Sequence, residues 1–172
     1  MISILALMLQ AAAAPAPVAP WTVTPRANAD PSITSSVAGA PSEDGNARLV
    51  MRCDAGKVKV VSFQLFTRAP LGGPPNRVVA LSMDGLTPLS DTWEFVDKGA
   101  FQRADTAVTA LASALATAKS IKLHTTTAAG EPVDASFAGP ASDAPIKALL
   151  AACDYTLGVL PVRADEKGKK GK

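Results

Sequence analysis

The 172-residue chain has one histidine, one tyrosine and two cysteines. A zinc site draws on several His and Cys ligands, so His124 by itself supports no metal, and no cofactor is expected. Two cysteines are too few for a cysteine-dense scaffold. Lying about 100 residues apart, Cys53 and Cys153 also exclude the Cys-x-x-Cys spacing of a redox pair. The chain has no Gly-x-Ser-x-Gly elbow, no Walker loop and no His and Asp at triad spacing. Charged residues make up 19% and aromatics 5%. With 48% apolar residues the chain is too hydrophobic for wholesale disorder, and its length suits one domain.

Long apolar runs are also missing. The run at residues 2–9 falls well short of the roughly 20 residues that a helix needs to cross a bilayer. It has the length of the hydrophobic segment of a secretory signal, and the alanines at 11–14 supply small residues for cleavage. Proline follows Ala14 and Ala16, so cleavage is expected after Ala13. The expected organisation is a signal peptide at 1–13, an Ala/Pro spacer at 14–20, one domain at 21–160 and a disordered Lys/Gly-rich tail at 161–172. Periplasmic or secreted is the expected location, with no transmembrane anchor in the mature chain.

Charge is unevenly placed. Residues 163–172 carry a net +3, so the rest of the chain, within a total of +2, is −1. A body without its own basic surface does not suit nucleic acid. The tail offers at most a weak contact with anionic envelope polymers or lipid headgroups.

Between these ends the hydrophobic period changes along the chain. Short β-like stretches lie at 21–24 and 33–37. Leu49, Met51 and Cys53 alternate with Arg48 and Arg52, and a turn at 54–56 leads into a second strand at 57–66, which predicts a hairpin. Within that second strand Val58 and Val60 share one parity, while Val61, Phe63 and Leu65 share the other. A bulge would produce such a phase change. Further strands are expected at 77–84, 92–95, 121–125 and 133–137. Val108, Leu111, Ala112 and Leu115 form a helical stripe within 105–118, capped by Asp105 or Thr106 and thin because it is rich in alanine. A last helix, capped by Ser142 with Pro145 in its first turn, carries Ile146, Leu149, Leu150 and Cys153 on one face.

The resulting fold class is α+β, a mainly antiparallel sheet with two helices, the C-terminal helix disulfide-linked to a strand. Cys53 and Cys153 both lie on inward faces, and export favours their pairing. A closed loop of about 100 residues makes that disulfide worth on the order of 4 kcal/mol.

Few residues offer chemistry. His124 points outward beside Lys122, and Asp134 reads as solvent-side polarity. Asp84 and Asp91 flank a turn, where aspartate serves turn geometry more readily than acid–base catalysis. No catalytic residues are assigned. Trp93 suits either a core anchor or an interface hot spot, and parity leaves both open. The loop at 69–76, with Gly72, Gly73 and Pro74, is the other candidate for interaction.

The segments Leu49-Val-Met-Arg-Cys53, Thr92-Trp93, Ala135-Ser-Phe-Ala-Gly139 and Leu149-Leu-Ala-Ala-Cys153 together resemble small exported proteins of the TagO kind, accessory envelope proteins of type VI secretion. The chain departs from that pattern at Ser82-Met83-Asp84 and at Asp154-Tyr155. The resemblance implies a non-enzymatic role. The expected function is thus a non-catalytic accessory or binding protein of the bacterial cell envelope, with an envelope protein as its partner. A small exported inhibitor of a hydrolase, a lysozyme or a protease, is the alternative.

Overall fold

The computed structural model describes residues 20–162. The expected signal, the spacer before Pro20 and the tail from residue 163 onward lie outside the described residues. Strands β1 (Thr24–Arg26), β2 (Thr34–Pro41), β3 (Ala47–Ala55), β4 (Lys59–Thr67), β5 (Arg77–Met83), β6 (Leu89–Val96) and β7 (Gly99–Gln102) come first. Helix α1 (Asp105–Leu115), strands β8 (Ser120–Thr126) and β9 (Pro132–Ala138) and helix α2 (Ala144–Ala152) follow. The nine strands form one sheet, ordered β1-β2-β3-β4-β7-β6-β5-β8-β9, and each pairs antiparallel with its neighbours. The protein is α+β and rich in sheet.

One face of this sheet is largely apolar. Leu49, Met51 and Cys53 on β3 lie opposite Leu65, Phe63 and Val61 on β4, and all six are fully buried. The pairing runs without a slip from Ala47↔Thr67 to Ala55↔Lys59, so the expected bulge is absent. Val58 precedes the strand and is exposed, and Val60 lies on the outward parity. The change of phase marks where the strand begins. On the same inner face are Val79 and Leu81 of β5, Trp93 and Phe95 of β6, Ile121 and Leu123 of β8, and Phe137 of β9.

The sheet curls until its ends meet. Ser42, just beyond β2, bridges Phe137, and the Glu43 N–H donates to the Ser136 carbonyl at 2.8 Å. Trp21 was expected in a strand. Instead it adopts φ 63°, buries its ring in the core and donates from Nε1 to the Ala138 carbonyl at 2.7 Å. The first strand begins three residues later, at Thr24. β7 is an addition, a four-residue strand inserted between β4 and β6.

Both helices pack on the inner face. α2 lies against β2 and β3 and is joined there by the Cys53–Cys153 disulfide, with Cα atoms 5.8 Å apart. Pro145 is in its first turn as expected, although Asp143 rather than Ser142 holds the N-cap position. Lys59 and Asp154 form an ion pair that adds a second tie between β4 and the chain just beyond α2. α1 lies against β4 and stops at Leu115, short of the expected residue 118. The Tyr155 hydroxyl and an Asp105 carboxylate oxygen are hydrogen-bonded at 2.7 Å, connecting the two helical segments.

Candidate interaction surface

The sequence-based candidates fall in three places. Trp93 is fully buried on the inner face of β6, so the reading of it as an interface residue is corrected: it is a core anchor. Its position follows from register, because Trp93 and Phe95 share one parity of β6 and the exposed Thr92, Glu94 and Val96 share the other. Its Nε1 is buried and has no hydrogen-bond partner.

Asp84 and Asp91 are held apart, each by its own contacts. Asp84, at φ 51°, follows the end of β5 and accepts from the backbone N–H groups of Ser120 at 2.8 Å and Lys119 at 3.0 Å. These N–H groups, that of Ser120 above all, hold its carboxyl below the usual 3.8. Asp91 is in register with Val79, five residues back along β5 from Asp84, a strand distance of roughly 16 Å. Its carboxylate accepts from the Thr92 N–H at 2.7 Å and from Gln102 Nε2 at 3.0 Å. His124 is exposed and contacts Asp134 directly across the β8–β9 pair, Nδ1 to Oδ1 at 2.8 Å. Among the described residues no group of three or more His, Cys, Asp or Glu could hold a metal ion, and no helix is long and apolar enough to cross a membrane.

The loop at 69–76 is braced from inside by one side chain that sequence reading did not single out. The Arg77 guanidinium donates to the carbonyls of Leu71 at 2.9 Å, Gly73 at 2.9 Å, Pro75 at 3.1 Å and Thr126 at 3.0 Å. It also stacks 3.8 Å above the Phe95 ring. A planar cation with five donors can do this, and a lysine cannot. The N–H groups of Leu71 and Gly72 both donate to the Asp97 carbonyl, fastening the loop to the β6–β7 turn. Gly72 needs its lack of a side chain: φ is +82° and a Cβ would lie 2.6 Å from that of Ala128. Gly73 has open space around it, and Pro74, Pro75 and Asn76 are exposed.

On the outer face nearby is a feature that the sequence analysis missed. Register aligns Arg48 of β3, Phe66 of β4, Gly99 of β7 and Val96 of β6 in one row across four strands. The bare Gly99 is covered by the Phe101 ring, two ring atoms of which would lie 2.8 Å from any Cβ there. Phe101 therefore meets Phe66 edge to face, with centroids 5.8 Å apart. Phe66 is 40% exposed and Val96 55%. Arg103 lies over Phe101 at 5.6 Å and pairs with Glu94 at 3.6 Å. Arg48, Arg68 and Lys98 are exposed around the same end of the sheet. An outward parity shared by Phe66 and Arg48 in their strands was the available signal. It needed the β4–β7 pairing to become a patch.

Compared with protein-family models, curated proteins and solved structures, the chain matches none.

Proposed function

We propose that this protein is a non-catalytic accessory protein, exported to the cell envelope, that acts by binding another protein. The patch of Phe66, Phe101 and Val96 carries this reading. An exposed phenylalanine and valine gathered beside a half-buried phenylalanine, on a sheet with polar surroundings, are characteristic of a docking surface rather than of scattered surface apolarity. The edge-to-face rings offer no flat platform for stacking a sugar, which favours a protein side chain as the group they receive. Arg48, Arg68, Lys98 and Arg103 around them select a partner with carboxylates flanking an apolar residue. The disulfide and the resemblance to envelope accessory proteins support an extracytoplasmic setting.

The test is in-cell crosslinking of the tagged protein, read by mass spectrometry, beside a Phe66→Ser/Val96→Ser variant of equal abundance. A single stoichiometric envelope partner, captured by the parent and lost from the variant, is expected. Equal capture by both, or only background from the parent, would overturn the reading.

The Arg77 brace favours one alternative, that the loop at 69–76 inhibits a hydrolase. A loop held rigid before binding loses little entropy on docking. If so, replacing Gly73 and Pro74 by Ser abolishes inhibition of a lysozyme or protease while the Phe66→Ser/Val96→Ser variant retains it.

A further inference from the structure

The curl of the sheet closes along a short seam and is open beyond it. β2 and β9 meet through the Ser42–Phe137 bridge and the bond from the Glu43 N–H to the Ser136 carbonyl. Past that bond the chain of β2 turns away through residues 43–46 into β3, while β9 runs on alone toward Pro132. Among the described residues, β8 is the one strand paired with this part of β9, so the opposite edge is uncovered. Alternation fixes where its backbone groups point. The Ser136 carbonyl faces away from β8, so the N–H and C=O of Asp134, two residues back, face away from β8 as well. Among the described residues no turn or loop backbone group bonds to either.

The same opening leaves part of the inner layer uncovered. An open groove of about 360 Å³ lies along this edge, and Ala47, Leu71, Val133 and Ala135 supply its apolar lining. Val133 and Ala135 share the inward parity of Phe137, yet they are half-buried where Phe137, beside the seam, is fully buried. Asp44 and Asp134 stand at the rim. They also line an adjoining groove with Glu43, against a single cation there, Lys122. His124 engages Oδ1 of Asp134 from the β8 side, which leaves Oδ2 turned to other partners.

We propose that this edge receives an extended segment of a partner protein, in the order apolar–cationic–apolar, added antiparallel to β9. A free strand edge supplies main-chain hydrogen bonds, and pockets for alternate side chains supply specificity. The peptide residue opposite Asp134 exchanges both backbone bonds with it and projects its side chain on the same face, where Asp134 and Asp44 favour a positive charge. Its two neighbours point the other way, into the groove over Val133 and Ala135, and a valine-sized side chain suits each. Pro132 has no N–H and the Ser136 carbonyl is occupied by Glu43, so the frame is short, about three residues. The surface includes none of Phe66, Val96 and Phe101, so its test is independent of the outer-face patch.

Three peptides, acetylated and amidated, test this on the full ¹⁵N-labelled chain. Gly-Val-Lys-Val-Gly should move the Asp134 amide downfield saturably and slow its exchange with solvent. Gly-Val-Glu-Val-Gly should bind about fivefold more weakly, the scale of a cross-strand charge pair. The lysine peptide methylated on the lysine backbone nitrogen should not bind, because it cannot donate to the Asp134 carbonyl. Asp134→Pro, at an edge position whose N–H is outside the ladder, should abolish binding, whereas Asp134→Asn should retain it and lose most of the preference for lysine over glutamate. No saturable shift at Asp134, or equal binding of the N-methylated peptide, would overturn the proposal. So would an Asp134 amide already protected from exchange in the free chain, which would mean that the edge is closed by the chain itself.

Discussion

Helices α1 and α2 rest on the same curved apolar face and are held there by different means. α2 covers β2 and β3 with Ile146, Leu149 and Leu150, all buried, and is joined to β3 through Cys53–Cys153. α1 covers β4 to β6 with a face diluted by alanine, leaving a pocket of about 110 Å³ between Ala107, Ala110 and Leu111 and strands β5 and β6. The part of the sheet under α2 is filled and cross-linked, and the part under α1 is held by packing and by contacts such as those of Asp84 and Tyr155. A thin helix can therefore belong to a stable domain when rigidity is supplied elsewhere on the same face. The loosely filled part is where a fluctuation is accommodated at least cost.

The largest break in this comparison comes from the disulfide. Cys53→Ala/Cys153→Ala should lower stability by about 4 kcal/mol, read as a drop in urea midpoint. Amide protection in α2 should then fall to the level of α1. Matched truncations sharpen the contrast: Leu149→Ala should cost about 4 kcal/mol and Leu111→Ala, beside existing free space, about 2, both within the usual range for core leucines. Equal losses would mean that the two ends are equally well packed. Filling the pocket beneath α1 with Ala110→Leu should raise stability by about 1 kcal/mol, measured by thermal unfolding.

The smallest effect concerns Asp84, which links the end of β5 to the segment after α1. Its folded-state pKa lies below 3.8, chiefly through the Ser120 N–H. The carboxylate thus contributes stability above pH 3.8 that is lost as pH falls through the lower folded value. Asp84→Asn should remove that contribution, lowering neutral-pH stability slightly because the group is exposed, and make the acid unfolding limb shallower. An unaltered limb would show that Asp44 and Asp30, also held low by neighbouring hydroxyl and N–H donors, dominate that limb.

Strict alternation made β3, β5 and β8 legible in the sequence, and the 3.6-residue stripes revealed both helices. The pairing of Cys53 with Cys153 followed from two inward faces. β7 escaped because Gly99-Ala-Phe-Gln102 is too short for a period to show, and its glycine weakens any strand signal. The bulge was misread because Val58 was counted inside a strand that starts after it. Parity could group Trp93 with Phe95 but could not say which face was covered until β6 was paired with β5 and β7. Arg77 and Asp84 were illegible for a common reason: their partners are backbone atoms, which leave no mark in residue type. The alanines of α1 were visible as a thin face, though the cavity they leave required the opposing strands.

The corner where Trp21 meets Ala138 joins residues 117 positions apart, and the disulfide joins residues 100 apart. A chain emerging from its amino end, from a ribosome or through a membrane pore, cannot make either contact until nearly all of the described body is free. β3 and β4 can pair early, but the curl of the sheet cannot close and α2 cannot be stapled until residue 153 has cleared the exit. For most of its synthesis the chain therefore leaves the inner faces of the early strands uncovered, and they are sealed only when the last helix is released.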